Sequence, residues 1–350
     1  MKTNQLLMGL LLTGGIFSMN AQNVASTANL TSGGNSAGTA GGSSTYYGHQ
    51  AGKVSTGSAN TFLGYIVGPI NSTGSGNTFI GQNVGAKNTT GGYNIFMGSY
   101  TAINNSTGEF NTFLGTNASN GNTTGNENVA IGYFAGMSNK TGNGNVFLGC
   151  NSGGGGAVSM NNTHLGYTAG QGSLGSRNVF LGNAAGRQST ENDKLFIDNT
   201  STATPLIWGD FALDQVKLNG KVGVGGVTAF PTAAGGANLT NYQLFVKGGV
   251  LAEEVRVATT WADYVFEDNY ALPTLEEVEC FIAENGHLPN VPSAKQVAEE
   301  GISLGDIAKV QQEKIEELTL YVIEQKKALN EQQSEIEVLK AQMKVLMEKK

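Results

Sequence analysis

Residues able to do chemistry are few in this chain and scattered along it. Between residues 45 and 190 the acids are Glu109 and Glu127, 18 positions apart, against Lys53, Lys87, Lys140, Arg177 and Arg187. Two carboxylates on neighbouring coils of a β-helix would suit a polysaccharide-cleaving enzyme; two exposed charges at turns is the plainer reading. His49, His164 and His287 stand far apart, and no metal-ligand spacing surrounds Cys150 or Cys280. The two cysteines, 130 positions apart, either pair in an oxidising compartment or sit as isolated small apolar residues. Calcium-dependent β-rolls place aspartate at every turn, whereas the first aspartate here is Asp193. No catalytic residue, metal ligand or cofactor is therefore expected.

Asn71/Thr73, Asn88/Thr90, Asn105/Thr107, Asn122/Thr124 and Asn139/Thr141 form regular N-x-T columns. Such columns would make a flat polar face of the ice-binding kind, and they also match acceptors for N-linked glycosylation. Turn chemistry explains the same residues.

The elements that position these side chains come from a repeat. A phrase of the form N-x-F-L-G closes on Gly48, Gly64, Gly81, Gly98, Gly115, Gly132, Gly149, Gly166 and Gly182, at steps of 16 or 17 residues. Asparagine stands four residues earlier in every copy but the first: Asn60, Asn77, Asn94, Asn111, Asn128, Asn145, Asn162 and Asn178. Self-similarity at a short fixed period is the mark of a solenoid. The phrase is too short and too β-branched for a helix, and Gly and Asn between copies suit tight turns. The expected architecture is mainly β, a parallel β-roll or β-solenoid about 43 Å long at ~4.8 Å per stacked strand.

Alternation then bears on assembly. Thr112 and Leu114 share one strand face and Phe113 takes the other. Phe62, Phe79, Phe96, Phe113, Phe147 and Phe180 repeat that position as the candidate repeat core, with His164 in the same column as a packing variant. Leu63, Ile80, Met97, Leu114, Ile131, Leu148, Leu165 and Leu181 repeat the next position. A strand apolar on both faces is normally covered on both. One thin coil covers one face only, so the other needs a second chain or the far wall of a wider coil.

The units resemble, in Asn178–Gly186 (NVFLGNAAG) and most closely in Asn128–Gly132 (NVAIG), the head repeats of trimeric autotransporter adhesins, a YadA-like pattern. That resemblance covers about residues 45–190 and implies a parallel β-roll packed as a homotrimer. The period here is longer, and phenylalanine stands where that family carries alanine.

After the array, 204–226 and 241–257 alternate as short strands with glycine turns; Trp208 and Phe211 either pack this neck or offer an aromatic platform to sugar. The period then turns helical. Thr274–Glu277 and Ser293–Gln296 read as capping boxes, with stops at Gly286 and Gly301, and Ser303 opens a third helix. Ile315, Leu318, Val322, Gln325, Leu329, Gln332, Ile336, Leu339, Met343 and Leu346 fall on a 3-4 heptad spacing and are the expected oligomerisation residues of a coiled coil. The stretch 261–297 with KIEELTLYVIEQ resembles the carboxyl-terminal module of secreted Gram-negative proteins. That module is similar in placement to the intramolecular chaperone domain of phage tail fibres, which trimerises the fibre and in some members cleaves itself at a serine. Here 258–264 reads A-T-T-W-A-D-Y without a Ser-Asp start, so trimerisation carries over and self-cleavage does not.

Composition closes off other classes. Charge splits into +3 over 22–190 and −11 over 191–350, with net −7 for the chain, so no basic nucleic-acid footprint exists. Lys2, the apolar run Leu6–Phe17 and Ala21 read as a secretory signal cleaved after residue 21, too short to span a bilayer. The expected order is signal peptide 1–21, linker 22–44, solenoid 45–190, β-rich neck 191–258, helical module 259–302 and coiled coil 303–350. The function this implies is an exported, non-enzymatic homotrimeric fibre at the outer cell surface or beyond it, for adhesion to a surface glycan or cell-surface protein. It has no membrane span of its own and no nucleic-acid partner. The alternatives are a phage-fibre-like receptor-binding protein, a β-helix carbohydrate-active enzyme and an ice-binding protein.

Overall fold

The computed structural model describes residues 25–27, 30–234, 237–258 and 261–348, so the signal-peptide segment lies outside the described residues. The chain divides into two compact units, Met1–Gly220 and Lys221–Lys350, a boundary that falls inside the expected neck.

The first unit is one 14-stranded sheet wound as a solenoid. Its strands are β1 (Ala25–Thr27), β2 (Leu30–Gly33), β3 (Ser44–Tyr47), β4 (Thr61–Tyr65), β5 (Thr78–Gln82), β6 (Ile95–Ser99) and β7 (Thr112–Leu114). The rest are β8 (Val129–Ile131), β9 (Val146–Leu148), β10 (Thr163–Leu165), β11 (Val179–Leu181), β12 (Lys194–Ile197), β13 (Ile207–Asp210) and β14 (Gln215–Leu218). From β2 to β12 each strand pairs in parallel with the next, making ten successive steps. Coiling thus begins within the stretch expected as linker: Leu30 pairs with Ser44 only 14 residues on, a coil too short to carry the full phrase. β1 folds back antiparallel on β2 at one end, and β13 and β14 close the other as an antiparallel meander.

The register places identical columns over one another, Phe79 on Phe96 and Gly81 on Gly98. The closing glycines have φ between +116° and +139°, which L side chains rarely adopt. At Gly81 a Cβ would also lie 1.8 Å from the Gly98 carbonyl oxygen, so the coils stack this closely only without it.

Phenylalanine points inward. Phe62, Phe79, Phe96, Phe113 and Phe180 are fully buried and Phe147 nearly so. Successive rings from Phe62 to Phe113 stack with centroids 4.7–5.0 Å apart, matching the strand spacing. Ala51, Val67, Val84, Ala102, Ala118 and Ala135 fill the core around them. The core is therefore complete inside one chain. The Leu63-to-Leu181 column faces out, with Leu63, Met97, Leu148, Leu165 and Leu181 exposed and Ile80, Leu114 and Ile131 half-buried.

In the second unit, β15 (Val222–Val224) pairs in parallel with β18 (Leu244–Val246), and β16 (Ala233–Ala234) with β17 (Ala237–Asn238) antiparallel. A 3-10 turn at Asp263–Phe266 precedes α1 (Leu275–Asn285), α2 (Ala294–Glu300) and α3 (Leu304–Glu348). Both expected capping boxes are present: Thr274 and Glu277 exchange hydrogen bonds at α1, as do Ser293 and Gln296 at α2. Gly286 ends α1 in the left-handed conformation. Among the described residues no helix is long and apolar enough to cross a membrane.

Candidate functional site

The polar side chains of the solenoid turn inward. Asparagines 60, 77, 94, 111, 128, 145, 162 and 178 are all buried. From Asn77 to Asn178, each backbone N–H donates to the Oδ1 of the previous copy at 2.9–3.0 Å. Each Nδ2 donates to a backbone carbonyl in the next turn at 2.8–3.1 Å. An asparagine supplies both an acceptor and donors on a short stem; in the first copy Ser44 takes the place, its hydroxyl accepting from the Asn60 N–H at 3.1 Å.

A second amide ladder lies in the N-x-T columns. Asn88, Asn105 and Asn122 each donate to the preceding Oδ1 at 2.7 Å, and Asn71 starts the series on Ser55 Oγ. This corrects the outward reading of those columns. Asn71, Asn88, Asn105, Asn122 and Asn139 are buried, unfit as glycosylation acceptors in the folded chain, and only the threonines at 73, 90, 107, 124 and 141 are exposed. The ladder stops between Asn122 and Asn139. Asn139 Oδ1 accepts from the Gly142 N–H at 3.0 Å instead, and Asn122 Oδ1 has no protein partner among the described residues.

His164 occupies the phenylalanine column at β10, stacked on Phe180 at 4.8 Å and tilted against Phe147 at 5.3 Å. Neither ring nitrogen has a partner, and burial pushes its pKa from 6.5 down to about 3. The ring also separates two apolar clusters, one ending at Phe147 and one formed by Phe180, Ala185 and Phe196.

The candidate acid pair does not converge on a buried site. Glu109 and Glu127 are both exposed, and the Glu127 N–H donates to the Glu109 carbonyl at 3.0 Å, so their coils adjoin while their side chains stand one column apart. Cys150 and Cys280 are free thiols, half-buried and exposed. Among the described residues no three His, Cys, Asp or Glu side chains gather as a metal site.

The solenoid end carries more charge. Lys194 pairs with Asp210 at 2.7 Å, both largely buried, and that bond leads the interactions holding the Asp210 carboxyl below its usual range. Lys217 Nζ sits 4.2 Å from the Trp208 ring centroid. Arg177 and Asp193 form a two-pronged pair on adjacent coils.

In the second unit the burial pattern is inverted. Glu313, Glu316 and Glu317 of α3 are buried against the segment before α1. The Tyr264 hydroxyl donates to Glu313 and the Tyr270 hydroxyl to Glu317, while Lys314 bridges Glu313 and Glu317. Burial alone would raise the Glu313 pKa, but bonds from Tyr264, Lys314 and Asn290 bring it below the usual range. Its partner Tyr264 is pushed up to about 12, chiefly by that hydrogen bond. The ten heptad residues from Ile315 to Leu346 are all exposed, and none packs into a core. Leu275, Val278, Leu288, Ile315 and Leu318 line an apolar cleft of about 320 Å³ between α1 and α3.

No family model, curated protein or solved structure matches this chain.

Proposed function

We propose that the protein is an exported, non-enzymatic fibre of three chains whose solenoid is presented for adhesion to a surface. The observation that carries this reading is the pair of uncovered apolar stripes, the outward Leu63-to-Leu181 column and the heptad face of α3. Contiguous apolar surface of this kind is usually buried in an interface. The heptad spacing supplies a partner of matching shape, another copy of α3, and alternating polar flanks keep the rest of the helix wet. Export rests on the amino-terminal pattern of Lys2 and Leu6–Phe17. The scarcity of charge along the coils favours a scaffold over a catalyst, since acid–base work needs paired titrating groups.

The test is to offer the purified full chain to immobilised cell-surface glycans and proteins, beside a Leu329→Asp/Ile336→Asp variant. Avid binding by the native chain that disappears with assembly is expected. Failure to bind any surface would contradict the adhesive reading.

A further inference from the structure

The solenoid does not end as it runs. After β12 the chain leaves the coil at Asp198 and returns antiparallel, yet the inward row continues across the new strands. Phe180 pairs with Phe196, Phe196 with Trp208 and Trp208 with Lys217. The wall that covers each earlier ring, Phe196 included, is not rebuilt around Trp208, which is half-buried. What remains is a cavity of about 380 Å³ whose lining includes Phe196 and Trp208, under a rim containing Arg187, Gln188, Glu191 and Ser201. Its size is within the range of small-ligand sites, about 300–1,000 Å³.

The chemistry of the lining is selective. Among the described residues, no protein group engages the Arg187 guanidinium, the Gln188 side-chain amide, the Glu191 carboxylate or the Trp208 indole N–H. The lining thus brings donors (Arg187, Gln188, the Trp208 indole N–H) and acceptors (Gln188, Glu191) together beside the half-buried Trp208 ring, which carries Lys217 Nζ at 4.2 Å. An ion would satisfy only one half of that set, and Arg187 and Glu191 offset each other's charge. A neutral polyhydroxylated ring satisfies both, because every hydroxyl donates and accepts, while its C–H face lies against an aromatic surface. We propose that this cavity is a binding site for a neutral sugar residue. It names the ligand class of the adhesive fibre and rests on that reading.

The experiment uses the full chain carrying Trp261→Phe, which leaves Trp208 as the one tryptophan reporter. Methyl glycosides of neutral hexoses and N-acetylhexosamines are titrated to about 50 mM, well above the millimolar dissociation constants that one shallow site supports. A saturable change in Trp208 emission with at least one of them is expected, weakened tenfold or more by Arg187→Ala/Gln188→Ala, two exposed positions whose loss leaves the core intact. No response from any neutral sugar would overturn the assignment. So would a response undiminished in the double variant, or one confined to sialic acid and erased by salt. A chain that assembles and adheres while Trp208 stays silent overturns the cavity assignment and leaves the fibre standing. A chain that answers sugar in this pocket without adhering to any surface upholds the pocket and removes the fibre.

Discussion

The two units bury opposite kinds of side chain. In the solenoid, Phe113 is fully buried, with Phe96 stacked on one side and Ala130 over it on the other, and the buried asparagines find partners in the adjoining coils. In α3 the buried side chains are three glutamates, while Leu318 is 61% exposed and, among the described residues, the heptad face from Leu329 onward meets no covering element. The first unit is thus stabilised by its own repetition, each coil covering the last. The second leaves the apolar stripe of α3 exposed and buries three of its glutamates, the stripe being what the proposed fibre would cover with other chains.

The largest effect that would break this comparison comes from the solenoid interior. Phe113→Ala removes the last ring of the Phe62-to-Phe113 stack, packed between Phe96 and Ala130, and is expected to cost about 3–5 kcal/mol of solenoid stability. Denaturant unfolding followed by far-UV circular dichroism checks it; a loss near zero would mean that the ring stack does not hold the coils. Next comes the amide ladder. Asn94→Ala leaves the Asn111 N–H and the Gly108 carbonyl without their partners, at an expected cost of about 2–4 kcal/mol. Asn94→Asp, which keeps the acceptor, should restore the bond to Asn111 but not the one to Gly108.

Much of this is legible in the sequence. The 17-residue spacing implied parallel register, the glycine column implied the coil corners, and Thr274/Glu277 and Ser293/Gln296 marked two helix starts. The direction of the asparagines was not legible, because an asparagine column at a turn reads the same whether its amide faces water or the next coil. The short first coil was hidden by its 14-residue step and by the lack of the phrase around Leu30. The antiparallel finish was equally hidden, since the alternation of 204–218 suits either sense of pairing. The heptad spacing carries no sign that Glu313, Glu316 and Glu317 are buried, since the tyrosines that bond Glu313 and Glu317 lie 49 and 47 residues earlier in the chain.

His164 sharpens the comparison within the solenoid itself. Its neutral form is favoured by burial, so below pH 6.5 the unfolded chain takes up a proton that the folded chain refuses. Stability is full above that pH and falls as the pH drops toward about 3. At pH 5 the expected loss is about 2 kcal/mol. His164→Phe should remove that part of the pH dependence and join the two apolar clusters; equal slopes for the two proteins between pH 7 and pH 4 would show that the ring is solvated. The smallest effect lies in α3. Gln325→Leu replaces a polar heptad position with an apolar one and is expected to tighten self-association about tenfold, or about 1.4 kcal/mol, with no change in solenoid melting. Sedimentation equilibrium on both proteins reads it.

The absolute mass of the full chain, by light scattering after size exclusion at micromolar concentration, tests most directly whether sister chains cover the second unit. Coverage of the heptad face and the outward column by copies of this chain predicts a mass three times that of one chain. A single-chain mass would contradict it, leaving both apolar stripes without the partner that their burial pattern calls for.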